Sequence, residues 1–267
     1  MNETIGNLNK MVADGINPVH YHLPLSDHRI DINAILGKTI SLRYTGTINC
    51  IKCGKKTNKS FSQGFCYQCF MTAPETEECV LRPELCRAHE GIARDMEFAT
   101  NHCLIDHFVY LSLTSEIKVG ITRHTQIPTR WIDQGASDAI CLAKTPNRYL
   151  AGLIEVFYKK HLPDKTNWRN MLTGKVTETR SLKEVKEFCL NILAPDLAVY
   201  AYTDDTIMHI DYPHLEVPIK VNSLDFDKTH DISGVLTGIK GQYLILDNQN
   251  VLNIRKFGGY QVAISNY

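Results

Sequence analysis

The chain has 267 residues, 43% hydrophobic and 22% charged, with 29 basic and 29 acidic side chains and no net charge. That length can bury one large core or two small ones, and the composition excludes a disordered or fibrous chain. A neutral molecule has no overall field to hold it on nucleic acid, so any such contact needs a local basic patch.

No apolar run nears the roughly 18 residues of a membrane helix. The opening MNETIGNLNK lacks the basic and apolar regions of a signal peptide. A cytoplasmic protein without a membrane partner is expected.

Residues 1–49 read as a strand-rich segment. VHYHLPL and KTISLRYTGTI are extended, and DINAILGK is a short helix capped by Asp31 and stopped by Gly37. His20 and His22 share a strand face by the period of two and read as surface or satisfied-core histidines.

Residues 50–103 hold seven of the nine cysteines. In a reducing compartment such density points to metal rather than disulfides. CIKCGKKTNKSFSQGFCYQC sets Cys50, Cys53, Cys66 and Cys69 as two Cys-x2-Cys knuckles. That spacing lets both thiolates of a knuckle reach one ion at about 2.3 Å, and four thiolates close a tetrahedral zinc site with no open position. Cys79, Cys86, His89 and Cys103 follow as candidates for a second zinc, Cys86 and His89 having the knuckle spacing. Structural zinc would replace the core that a loop-rich segment of this size cannot build. Cys141 and Cys189 sit in apolar patterns and read as core.

Residues 104–180 carry strand FVYLSL, a turn at Thr114 to Glu116, strand KVGIT, a helix from Pro128, strand AICLAK and a second helix. Thr145 is the expected N-cap of that helix, with Pro146 in its first turn. Leu150, Leu153, Ile154, Phe157 and His161 form its apolar stripe, with Arg148, Gly152, Glu155 and Lys159 off its centre. Residues 181–267 open with an amphipathic helix whose Ser181 and Glu184 make a capping box. Its buried face is expected to be Leu182, Val185, Phe188, Cys189, Ile192 and Leu193, ending at Pro195. From Leu197 short strands such as AVYAYT, IMHIDY and VLNIRK predict a small antiparallel sheet or barrel that the N-terminal strands complete.

FVYLSLTSEIKVGITRHTQIPTRWIDQGA, followed by Glu155 in LAGLIEVFYKK, resembles the GIY-YIG nuclease superfamily. The resemblance sets Tyr110 at the Tyr of the first tripeptide, Val119 and Gly120 at the end of the second, and Arg130 and Glu155 at the helix Arg and the metal-binding Glu. The whole chain further resembles an uncharacterised bacterial family, domain of unknown function 2797.

The expected fold class is therefore α+β: a GIY-YIG-like core, a cysteine-rich zinc segment and a flanking antiparallel β domain of N- and C-terminal strands. The resemblance implies phosphodiester chemistry on nucleic acid, DNA before RNA. Tyr110 stands near the attacking water, Glu155 holds Mg²⁺ or Mn²⁺, and Arg130 braces a phosphate oxygen. Lys118, Gly120 and Arg123 would line the phosphate: two by charge, the Gly by letting the strand approach closely. Lys118 stands where the second Tyr belongs, and Gln134 where a His or Tyr is frequent. Both departures favour gripping a phosphate over cutting it. Taken singly, Arg130 with Asp133 and Glu155 with Lys159 also read as ordinary helix pairs. A non-catalytic zinc-containing nucleic-acid module and an interaction scaffold remain alternatives.

Overall fold

The alternation in HYHLPL builds the strand His20–Leu25, which in the computed structural model buries Tyr21, Leu23 and Leu25 and leaves His20 and His22 on the accessible face. The structure describes residues 3–265. The chain divides into two units, one of Met1–Met71, Leu172–Gly174 and Ile210–Tyr267, the other of Thr72–Met171 and Lys175–His209.

In the first unit, His20–Leu25 pairs antiparallel with Val12–Asp14 and His28–Asp31. A larger sheet runs in the order Thr4–Asn7, Tyr260–Ser265, Thr39–Asn49, Asp231–Lys240, Tyr243–Leu246, Asn250–Asn253 and Asn222–Ser223, with Lys56–Thr57 paired beside Thr39–Asn49. N- and C-terminal strands thus share one sheet. Its pairs are antiparallel except the last, which is parallel. The expected helix after Asp31 is a single 3-10 turn, Asn33–Ile35, in which Asp31 still accepts from the Ala34 N–H at 3.1 Å.

The second unit is built on β1 (His107–Leu113), β2 (Ile117–Arg123), α1 (Thr129–Asp133), β3 (Asp138–Thr145), α2 (Arg148–Tyr158), α3 (Leu182–Ile192) and β4 (Met208–His209). The sheet order is β4-β3-β1-β2 and every pair is antiparallel. Val109, Leu111, Ile117, Val119, Ile140 and Leu142 form one core with Ala151, Ile154 and Tyr158 of α2 and Leu182, Val185 and Cys189 of α3. Alternation sends Tyr110, Ser112, Lys118 and Gly120 to the opposite face.

Several expectations shift by a few residues for identifiable reasons. Asn147, not Thr145, caps α2, accepting from the Leu150 N–H at 3.0 Å, while Thr145 completes β3. Gly152 and Glu155 are buried, because α2 is covered on a second side: a Cβ on Gly152 would lie 2.3 Å from the Glu84 nitrogen. The capping box of α3 forms between Ser181 and Glu184. Phe188 is exposed, whereas Lys186 is buried with its ammonium 2.9 Å from Asp205 and 2.6 Å from the Asp204 carbonyl. AVYAYT is not a strand; Pro195 opens another helical turn, Pro195–Ala198.

The division into units also differs from the expected cuts at 103 and 180. Cys50 to Cys69 continue directly from the strand Thr39–Asn49 of the first unit. Cys79 to Cys103 pack on α2 of the second, and α3 belongs with them because its apolar face closes the β1–β3 core.

Candidate functional site

Cys50, Cys53, Cys66 and Cys69 bring their sulfurs within 4.8 Å of one another, so this group can hold a metal ion. The first knuckle turns back on itself through the Gly54 N–H, which donates to the Cys50 carbonyl at 2.8 Å, with Gly54 at φ +71°. Ile51 donates to the Gly64 carbonyl at 2.9 Å, tying the two knuckles together. The second runs into the helix Tyr67–Thr72, where Cys53 Sγ lies 3.9 Å from Cys66 Sγ. Burial works against charge on the Cys50 thiol, yet backbone N–H groups of Cys66, Cys53 and Lys52 hold it down at about 6, the state a metal ligand needs.

Cys79, Cys86 and Cys103 form a second convergent group, all three buried. The Cys86 thiol is held far below its usual range by hydrogen bonds from the Cys103 and Cys79 thiols, helped by the Ala88 N–H and the Arg148 charge and opposed by burial. Arg148 ties this loop to α2. Its Nε donates to the Cys79 carbonyl at 2.7 Å and its Nη2 to that of Val80 at 2.9 Å, while its own N–H donates to Cys103 at 2.8 Å.

The expected fourth ligand, His89, stands outside the three-sulfur group. Its ring stacks on Tyr149 at 4.4 Å, which holds the imidazole against α2 instead. His107 was not singled out from sequence. It is fully buried, its Nδ1 lies 2.8 Å from the Ile105 carbonyl, and its Nε2 has no partner among the described residues. Burial, opposed by that carbonyl, pushes it down to about 4. Only a strand-edge histidine in an otherwise apolar run could have signalled it.

Tyr110 and Lys118 lie on the face of the β1–β2 ladder opposite the core, and both are buried. Tyr110 pairs with Gly120, and a Cβ on Gly120 would lie 2.7 Å from the Tyr110 hydroxyl. The space that Gly120 leaves is thus filled by Tyr110, not kept for a ligand. The Tyr110 hydroxyl donates to Gln134 Oε1 at 3.0 Å, and Trp131 packs edge-on over its ring at 5.8 Å. Burial raises the Tyr110 pKa; the Arg130 charge and hydrogen bond oppose this, and Glu155 reinforces it. The Tyr110 hydroxyl therefore feels the charges of both Arg130 and Glu155, although the three come from β1, α1 and α2.

Lys118 pairs with Ser112 one step along the ladder. It is only 4% exposed, and its ammonium makes no hydrogen bond or ion pair among the described residues. Burial and then the Arg130 charge press it down to about 8, with Asp164 and Glu155 pulling the other way. The Ser112 hydroxyl is also buried without a partner. Glu155, 8% exposed, pairs with Lys159 at 3.3 Å, as its helix spacing suggested, and its carboxyl is raised first by burial and then by Asp164 and Glu84 against the Lys159 charge. Glu84 enters from the loop between Cys79 and Cys86, a contribution that no sequence spacing could reveal.

Arg123 does not join this cluster. It stands at the far end of β2, paired with His107, and lines a cavity of about 230 Å³ with Arg148, His102, Cys79 and Cys103.

The family model described as a protein of unknown function, DUF2797, matches residues 37–262, and the chain belongs to that family. No curated protein matches it, and no solved structure does. No helix among the described residues is long and apolar enough to cross a membrane.

Proposed function

We propose that this DUF2797 chain carries a GIY-YIG-like phosphodiester site on its second unit and acts on nucleic acid, DNA first, as a metal-dependent nuclease. The observation that supports this is that the Arg130 and Glu155 charges both act on Tyr110 and on Lys118 of the β1–β2 ladder, on elements in the strand-strand-helix-strand-helix order of the superfamily. Lys118 and Arg130 supply two positive charges that the protein leaves incompletely neutralised, which is what a phosphate would satisfy. Arg130 offers a planar fork to two oxygens, and Tyr110 sits between it and Gln134 as the group nearest to handling a proton.

Glu155, with Asp164 and Glu84 close by, would hold Mg²⁺ or Mn²⁺. The ion would take the place of the Lys159 ammonium, which lies 3.3 Å from Glu155 and 3.7 Å from Asp164, and when bound would neutralise developing phosphate charge. The cysteine groups are read as structural zinc sites, because thiolate donors select such an ion and neither group belongs to the phosphate cluster.

The test is incubation of the full chain with labelled branched, single-stranded and duplex DNA, with and without Mg²⁺. Cleavage that requires Mg²⁺ and disappears in Glu155→Gln is expected. Cleavage unchanged in Glu155→Ala overturns the mechanism. A second reading, binding without turnover, is favoured by the complete burial of Tyr110. It predicts retention of DNA that weakens with added salt and in Arg130→Ala, with no product formed.

A further inference from the structure

The three-stranded sheet of the first unit carries donors that belong to neither cysteine group nor to the phosphate cluster. His22 lies directly opposite Asp31 across the ladder, and His20, two residues before it, shares that face. A nitrogen of each histidine and one Asp31 oxygen lie within 4.8 Å of one another. His20 Nε2 is 3.1 Å from Asp31 Oδ1, and the two rings are 4.9 Å apart.

The backbone beneath is held firmly. Tyr21, Leu23 and Leu25 on the reverse face are fully buried, and Asn33 bonds the Tyr21 N–H at 2.8 Å and the Val19 carbonyl at 2.9 Å. Asp31 Oδ1 is oriented by the Ala34 N–H. At the outer edge, Arg29 Nη2 lies 3.1 Å from both His22 Nδ1 and Asp14 Oδ2. Asp14 therefore offsets the guanidinium charge next to the cluster.

We infer that His20, His22 and Asp31 form an open surface site for a divalent ion of the zinc–copper class, separate from the cysteine groups. Two bonds of about 2.0–2.1 Å meeting near the tetrahedral angle span roughly 3.3 Å, close to the observed nitrogen–oxygen separation. Imidazole and carboxylate donors suit zinc and copper and not calcium or magnesium, which ask for an all-oxygen shell. Side-chain exposures of 45% for His20 and 44% for Asp31 leave the outer coordination positions to water. The ion is consequently exchangeable, where the thiolate groups hold theirs. A simple His–Asp ion pair at such exposure contributes about 0–1 kcal/mol. That pair involves Asp31 and His20 alone; His22 Nδ1 meets Arg29 and Asp14 at the outer edge, and the convergence of His22 on the pair is what a shared ion would use.

Titration of the chelator-treated full chain with Co²⁺ tests the site, because thiolate ligands give intense near-ultraviolet charge-transfer bands and a two-histidine, one-carboxylate set gives only weak visible bands. The expected result is one further equivalent bound after the charge-transfer bands saturate. His20→Ala/His22→Ala and Asp31→Asn abolish that equivalent while the charge-transfer bands persist unchanged. Saturation of all binding together with the charge-transfer bands in the parent chain overturns the inference. So does survival of the further equivalent in the double-histidine variant.

Discussion

Two regions of the second unit treat buried polar atoms in opposite ways. Around Cys79, Cys86 and Cys103 the thiols bond one another, Arg148 satisfies two loop carbonyls, and Ala88, Ala99 and Tyr149 close the space, with His107 Nε2 and Glu84 Oε2 left without a partner among the described residues. On the β1–β2 ladder the Lys118 ammonium and the Ser112 hydroxyl are buried without partners, and Lys118 feels the charges of Arg130 and Glu155. A buried hydrogen bond left unmade costs about 1–3 kcal/mol, more when the group is charged. The first region therefore stabilises the fold, whereas the second carries a cost that a bound anion would relieve. Substitutions that remove polar groups should have opposite signs in the two places.

The largest effect belongs to the cysteines. Cys86→Ala removes the thiol on which the other two converge, and metal-linked folding free energy in small thiolate sites is on the order of 10 kcal/mol. Loss of metal from this group and failure of the second unit to fold are expected. Metal analysis reads the first. Tryptophan fluorescence reads the second, since both tryptophans, Trp131 and Trp168, lie in that unit. Native fluorescence with undiminished metal would break the contrast.

Next comes Gly152→Ala. The added Cβ would stand 2.3 Å from the Glu84 nitrogen and 2.5 Å from the Pro83 carbonyl carbon, backbone atoms that cannot turn aside. Overpacking of this kind costs about 3 kcal/mol at its upper end. Chemical denaturation followed by fluorescence should show the loss, and it should also disturb Glu84 beside Glu155.

What could be read in advance divides along the same line. Most local signals held: the knuckle cysteines converge, Ser181 and Glu184 cap α3, and β1, β2, α1, β3 and α2 come in the expected order, although Asn147 takes the cap expected of Thr145. Periodicity placed Ile154 in the core but missed Gly152 and Glu155, because it assumes a helix covered on one side only. The fourth-ligand expectation for His89 rested on spacing, and spacing does not see the Tyr149 ring that engages it. Arg123 is near Lys118 in sequence yet lies with the cysteines, since β2 is extended and its ends are far apart. Asp31 meets His20 and His22 only through strand register, which a lone sequence leaves open.

On the unsatisfied side, Lys118→Met should stabilise. Below pH 8 the native and unfolded chains both carry the Lys118 proton, and the native one bears the full cost of the buried charge. Between about 8 and the ordinary 10.5 the native chain has released the proton while the unfolded chain keeps it, so the unfolded state binds more protons and stability rises with pH. A displacement of that size corresponds to about 3 kcal/mol. The variant should therefore gain up to that amount at pH 7, with the gap to the parent chain closing as pH approaches 10. The same change should weaken DNA retention. Destabilisation at pH 7 would mean that Lys118 has a compensating partner, and the contrast between the two regions would fail.

The smallest effect is also the most discriminating. Ser112→Ala deletes one buried, unpartnered hydroxyl and leaves the strand in place, so a gain of about 1 kcal/mol is expected, read as a small rise in the denaturation midpoint. Ser112 faces Lys118 across the ladder, so the two substitutions should not be additive. Once the side chain facing Ser112 across the ladder is apolar, removing the hydroxyl should gain more than it did alone. Additive gains would show that the two groups bear their burial costs independently, and would leave Lys118 to engage a ligand without the hydroxyl beside it. A loss in the Ser112 variant would instead assign that hydroxyl a bond in solution, and Ser112 would then belong with the satisfied groups around the cysteines.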